Sequence, residues 1–229
     1  MKTKSKALLI ALSAILLLSV TVAGTLAWLT SEDEVVNTFT IGKVTLTLDE
    51  AEVDEYGRLV NSLDQRVKSN EYRLIPGNTY VKDPTVTVKA GSESAYVRML
   101  VTVNKYSTLQ SIFGSNFDLA NFVQGRDNET WVRVGSAVDT AADTITYEFR
   151  YFDKNAQKST VDATTATSDI VLPALFTGFT LPGTVTGEQL ESLYAGEQFK
   201  IVVNAHAIQE LGFENDADGA WEAFDEQVA

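Results

Sequence analysis

Apolar and polar residues alternate in strict turn along much of this chain, the period of strands that bury one face and wet the other. Val44, Leu46 and Leu48 alternate with Thr45 and Thr47, and Val86 and Val88 with Thr85 and Thr87. Val97, Met99, Val101 and Val103 share one face; Ile145, Tyr147, Phe149 and Tyr151 share another, with Thr146, Glu148 and Arg150 turned away. A last strand points Phe199, Ile201, Val203, Ala205 and Ala207 inward and Lys200, Asn204 and His206 outward. Pro76-Gly77-Asn78 predicts a type II turn, proline presetting one dihedral and glycine supplying the positive φ, and Pro182-Gly183 predicts a second. Long connections are expected over 50–72 and 152–168.

Helical signal is short and local. Leu109, Ile112 and Phe113, then Leu119, Phe122 and Val123, predict one or two brief helices in a crossover. Thr186 with Gln189 forms a capping-box pattern for a helix over 187–194, and Ala217, Trp221 and Phe224 fall at i, i+4 and i+7 on a closing helix. Strands outnumber helices, and antiparallel strands with long crossovers predict an all-β, two-sheet antiparallel sandwich of jelly-roll type in one domain over 43–229.

The alternation changes phase once near its start. Phe39 and Ile41 occupy odd positions, whereas the apolar face from Val44 onward is even, so the phase flips across Gly42-Lys43. A bulge in one long strand would do this. So would a bend at Gly42 that sends residues 28–42 to a different surface from 43–49, and the residues by themselves leave both open.

Ahead of the strands, Lys2, Lys4 and Lys6 precede an apolar run from Ala7 to Gly24, the order of a basic n-region and an h-region. An uncleaved anchor is the competing reading. Small residues Thr25 and Ala27 at the −3 and −1 places favour cleavage by signal peptidase after Ala27, with 1–27 as leader and Trp28 as the mature N-terminus. Export, with membrane contact only through the leader, is the expectation.

Composition narrows the partners. The 229 residues carry 18 Lys+Arg against 31 Asp+Glu, a net charge of −13, and no cysteine. Without the three leader lysines, 15 basic residues face 31 acidic ones over 202 residues, a net −16. A surface with half as many cations as anions repels phosphate backbones, so nucleic acid is not an expected partner. Disulfides, thiolate metal clusters and thiol nucleophiles are excluded outright.

Gly24-Thr25-Leu26-Ala27-Trp28, Asn37-Thr38-Phe39-Thr40-Ile41-Gly42 and Val44-Thr45-Leu46-Thr47-Leu48 together resemble the leader and first strand of the TasA/camelysin family, whose members depend on the signal peptidase SipW. Ile75-Pro76-Gly77-Asn78-Thr79 running into Lys82-Asp83-Pro84-Thr85-Val86-Thr87-Val88 is similar to the family's next landmark. Ala205-His206-Ala207-Ile208-Gln209, Gly212-Phe213 and Trp221 resemble a closing block. The likeness covers roughly 1–104 and 199–224. It implies a secreted Gram-positive jelly-roll protein of the cell surface or biofilm matrix. The family's best-known members assemble into fibres in which the N-terminal segment of one subunit completes a sheet in the next, and the resemblance implies the same here. Under that resemblance Trp28, Leu29, Val35, Val36, Phe39 and Ile41 become the anchors of a donated strand and Gly42 its bend. The partners are then further copies of the chain and other matrix or surface proteins, and the alternative is a monomeric adhesin or accessory factor.

Camelysin brings a metallopeptidase reading with it. Zinc peptidases need two imidazoles and a glutamate on one helical turn, and this chain has only His206, on an outward strand face, with Glu210 four residues on. A Ser-His-Asp triad lacks a nucleophile-elbow glycine pattern, so catalysis and cofactors are not expected. Glu214, Asp216, Asp218, Gly219 and Asp225 imitate a calcium loop, but Glu stands first and Asp last, and the same residues read as a helix capped by Asn215 or Asp216. The acidic run Asp49, Glu50, Glu52, Asp54 and Glu55 reads as a solvated connection. Asn128-Glu129-Thr130 fits a glycosylation sequon that means little in a bacterial product.

Overall fold

The computed structural model describes residues 43–228. Twelve strands, three short α-helices and one 3-10 turn (Leu119–Asn121) follow one another there. The order is β1 (Leu46–Ala51), β2 (Arg66–Val67), β3 (Thr79–Val81), β4 (Thr85–Val88), β5 (Ala95–Asn104), α1 (Tyr106–Phe113), β6 (Val123–Gln124), β7 (Trp131–Asp139), β8 (Thr144–Tyr151), β9 (Thr160–Val161), β10 (Ile170–Val171), β11 (Gly178–Thr180), α2 (Gly187–Tyr194), β12 (Ile201–Gln209) and α3 (Ala217–Val228). All pairings are antiparallel. A four-stranded sheet runs β10-β4-β1-β2 and a five-stranded one β12-β5-β8-β7, with β9 beside β5. A third sheet, β3-β11-β6, corrects the expectation of two. Its strands have two or three residues each, too short for alternation to announce them.

The alternating residues form the core. Val97, Met99, Val101 and Val103 of β5 are at most 1% exposed, and they share one cluster with Val86 and Val88 of β4 and Ile145, Tyr147 and Phe149 of β8. Facing sheets bury their apolar sides against each other, which makes this an all-β sandwich. Gly77 adopts φ +82° and the Asn78 N–H donates to Ile75 C=O at 3.1 Å, as the type II turn requires. The second turn differs from expectation: Val185 N–H reaches Pro182 C=O, so proline opens the turn and Gly183 needs no positive φ.

The helices stand where spacing put them. α2 carries the complete capping box, with Gln189 N–H on the Thr186 hydroxyl at 3.2 Å and Thr186 N–H on Gln189 Oε1 at 2.9 Å. α3 lays Ala217, Trp221 and Phe224 on the outer face of the five-stranded sheet, where Trp221 and Ala220 join Tyr96 in a small second core. No helix of the described residues is long and apolar enough to cross a membrane.

Candidate functional site

The sandwich is closed unevenly. β12 pairs with β5 from Ile201↔Val103 to Gln209↔Ala95. Beyond its two ends, Asn104 N–H donates to Lys200 C=O (3.4 Å) and Glu210 N–H to Ser94 C=O (2.7 Å). Antiparallel ladders use alternate residues, so even-numbered residues of β12 spend their backbone groups on β5 and odd-numbered ones aim theirs the other way. On that other side β12 has no partner strand among the described residues. The odd-numbered Ile201, Val203, Ala205 and Ala207 also turn their side chains to the core, yet each is only half-buried. The core therefore thins toward this edge.

β1 repeats the arrangement in the facing sheet. Its ladder with β4 continues through Lys89 N–H to Thr45 C=O (2.9 Å), which leaves the backbone groups of Leu46 and Leu48 aimed away from β4 while their side chains pack against the core, and β2 pairs only with Glu50 and Ala51. Leu48 C=O accepts from Lys68 Nζ at 2.8 Å. Between these edges lies a groove of about 1160 Å³, its apolar side formed by Leu48, Phe179, Leu190, Phe199, Ile201 and Val203.

Asp49, Glu50 and Lys82 line the groove as well, and their pairing corrects the reading of the acidic run as a solvated connection. Glu50 and Lys82 form a buried ion pair at 2.6 Å, and Asn70 Nδ2 donates to the second Glu50 oxygen at 3.0 Å. Arg66 bridges Asp49 (2.8 Å) and Asp83 (2.5 Å), and Asp83 also accepts the Ala51 N–H at 2.6 Å. Burial alone would lower the Arg66 pKa; hydrogen bonds to the two carboxylates outweigh it and leave the value raised. Burial first, then the Glu50 charge, pushes the Tyr72 hydroxyl far above its usual range, so it stays a neutral donor, to Val81 C=O at 3.0 Å. Only the later members connect: Asp54 accepts the N–H of Tyr56 and of Arg58, both at 2.9 Å. Each β1 carboxylate meets a cation brought from residues 66–82, a pairing no local spacing announces.

Such a groove offers backbone donors and acceptors along two edges, apolar sockets and, in Asp49, Glu50 and Lys82, charges that are already paired. That is chemistry for holding an extended segment, strand added to strand. Among the described residues no group of three or more His, Asp or Glu side chains is placed to hold a metal ion.

Of the residues singled out by sequence, Thr25, Ala27 and Trp28 of the cleavage site and Trp28, Leu29, Val35, Val36, Phe39, Ile41 and Gly42 of the donated strand lie outside the described residues. His206 is corrected. It leaves the main core as expected, but α3 covers it: the imidazole stacks on Phe224 at 4.9 Å and its Nδ1 accepts from Arg98 Nε at 3.3 Å. Burial and the Arg98 charge lower its pKa. The calcium-like spacing resolves into the helix reading, with Asp216 capping Gly219 N–H (2.9 Å), Asp218 paired with Arg150 and Asp225 with Arg98. β7 escaped the alternation because a bulge between Arg133 and Gly135 moves its pattern onto the other face. Comparison with protein-family models, with curated proteins and with solved structures finds no match to this chain.

Proposed function

We propose that this chain is an exported structural subunit of biofilm-matrix or cell-surface fibres, assembled when residues 28–41 of one copy add a strand in the groove of the next. The observation that carries the reading is the pair of half-covered edges, β1 and β12, beside an apolar groove. Residues 35–41, extended, span about 24 Å, within the roughly 30 Å of the nine-residue β12. Val35, Phe39 and Ile41 share one face of such a strand, and burying each contributes about 1.5–3 kcal/mol. In this reading the chain is of TasA/camelysin type and its sandwich a jelly roll, supported by strands that cross repeatedly between the two larger sheets. Its role is structural rather than catalytic, without a cofactor. Further copies and other matrix or surface proteins are its partners, and signal peptidase meets it once, after Ala27.

Two proline variants of the mature chain test the assignment. Val203 N–H points away from β5, so Val203→Pro spares the β5 ladder while blocking the edge; Val202→Pro removes a β5 hydrogen bond. Val203→Pro should melt near the parent and stay monomeric by light scattering and electron microscopy, whereas Val202→Pro should unfold at lower temperature. Polymers of Val203→Pro like those of the parent would refute the edge, and a parent that stays monomeric across concentration and salt would favour a strand that completes its own subunit.

A further inference from the structure

At the β7 edge of the five-stranded sheet, the edge opposite β12, two arginines stand close together. Arg133 on β7 and Arg126, just after β6, hold their guanidiniums over neighbouring rings of β8: Arg133 is 4.7 Å from the Tyr147 centroid and Arg126 5.4 Å from that of Phe149. Tyr147 and Phe149 are two residues apart on one strand face, about 7 Å along the strand, and each ring carries one of the two cations. One carboxylate stands near both and bonds to one of them. Asp118 accepts from Arg133 Nη1 at 2.6 Å and caps Ala120 N–H at 2.9 Å. Arg126 makes no ion pair or hydrogen bond with any described residue, and the second Arg133 amino group reaches only Ser136 Oγ, at 3.5 Å. Burial and the Arg133 charge lower the Arg126 pKa, offset in part by Asp118.

The arrangement is uneconomical for stability. It brings like charges together, half-buried, with one counterion, in a chain of net charge −13 that has acids to spare. We propose that Arg126 and Arg133 form an oxyanion-binding site that takes a carboxylate or a phosphate between the two guanidiniums. A bidentate arginine holds its anion with the central atoms roughly 4 Å apart, so one anion meets two guanidiniums held over neighbouring rings. The rings attract the two guanidiniums through their π faces, and Arg126 brings its five donors uncommitted.

Thermal melting of the full mature chain and of Arg126→Gln tests this in sodium phosphate, sodium acetate and sodium chloride at matched ionic strength. Phosphate strengthens burial in any protein, so the informative quantity is the difference between parent and variant. Phosphate or acetate at ten times its dissociation constant should raise the parent by about 3–5 °C more than it raises Arg126→Gln. Phosphate alone, acetate alone or both giving that excess names the anion. In chloride Arg126→Gln should melt at or above the parent, because relief from burial of the charge and from the Arg133 repulsion offsets the lost attraction to Phe149 and Asp118. In NMR of the parent, the Arg126 and Arg133 Nε–H signals should move and saturate with the effective anion. Equal increments in parent and variant, or non-saturating shifts spread over all arginines, would overturn the site. So would a variant that melts well below the parent in chloride, which would make Arg126 a packing residue on Phe149.

Discussion

Replacing Lys82 with methionine keeps most of the side-chain volume and removes one charge from the pair that walls the groove. Lys82 and Glu50 side chains are 10% and 6% exposed and 2.6 Å apart. At an effective dielectric near 20 their attraction is about 6 kcal/mol, most of it offset by the desolvation of both ions. The intact pair therefore contributes little net stability, but breaking it is costly. With Lys82 gone, Glu50 keeps Asn70 as its hydrogen-bond donor, at 3.0 Å, inside the protein. Lys82→Met should lose about 3–5 kcal/mol, and Glu50→Leu a similar amount by stranding the ammonium. Glu50→Leu with Lys82→Met should return to within about 1 kcal/mol of the parent. Urea titration followed by the fluorescence of buried Trp131 and Trp221 reads these values, and each single variant should also melt about 6–20 °C lower. Additive losses, with the double variant the least stable of all, would refute the reasoning. So would single losses below about 1 kcal/mol, which would mean that water reaches the pair.

His206 should make docking of α3 sensitive to mild acid. Its lowered pKa means the folded state favours the neutral ring, so its contribution is fully present above the ordinary value of 6.5 and is lost as pH falls below it. Arg98, Asp225 and Glu148 face the ring; Asp225, held low mainly by its hydrogen bonds to Arg98, stays ionised through that window. Urea midpoints between pH 7.5 and 5.5 should fall for the parent and stay nearly level for His206→Gln; equal slopes would exclude the histidine. Gly57→Ala should cost about 2–5 kcal/mol, because φ is +75° and a Cβ would stand 2.5 Å from Tyr80 Cδ1 and 2.7 Å from Tyr80 Cα. Gly91→Ala, with φ +76° and open space, should cost about 1–2 kcal/mol by the same denaturation assay. Association of the mature chain should strengthen with salt, since the Debye length falls from ~10 Å at 0.1 M to ~3 Å at 1 M and each copy carries a net −16. Light scattering that stays flat over that range would count against assembly.

What the sequence determined by itself is local or periodic. Val97 to Val103, Ile145 to Phe149 and Ile201 to Ala207 could be assigned to strands and faces because side chains alternate with a period of two whatever the strand meets. Thr186 with Gln189, and Pro76 with Gly77, act within four residues, so their helix cap and turn were equally legible. β7 hid because one extra residue at its bulge reverses the face, and the third sheet because strands of two or three residues are too short to show a period. The partners were decided by tertiary structure alone. Asp49 and Glu50 look like solvated acids until the chain returns with Arg66 and Lys82; His206 looks exposed until α3 covers it; Arg126 and Arg133 become a pair only over Tyr147 and Phe149. The groove belongs with these, since an edge is free or filled according to which strands lie beside β1 and β12. Strand order is settled by long-range burial, and alternation along a strand carries no record of its neighbours.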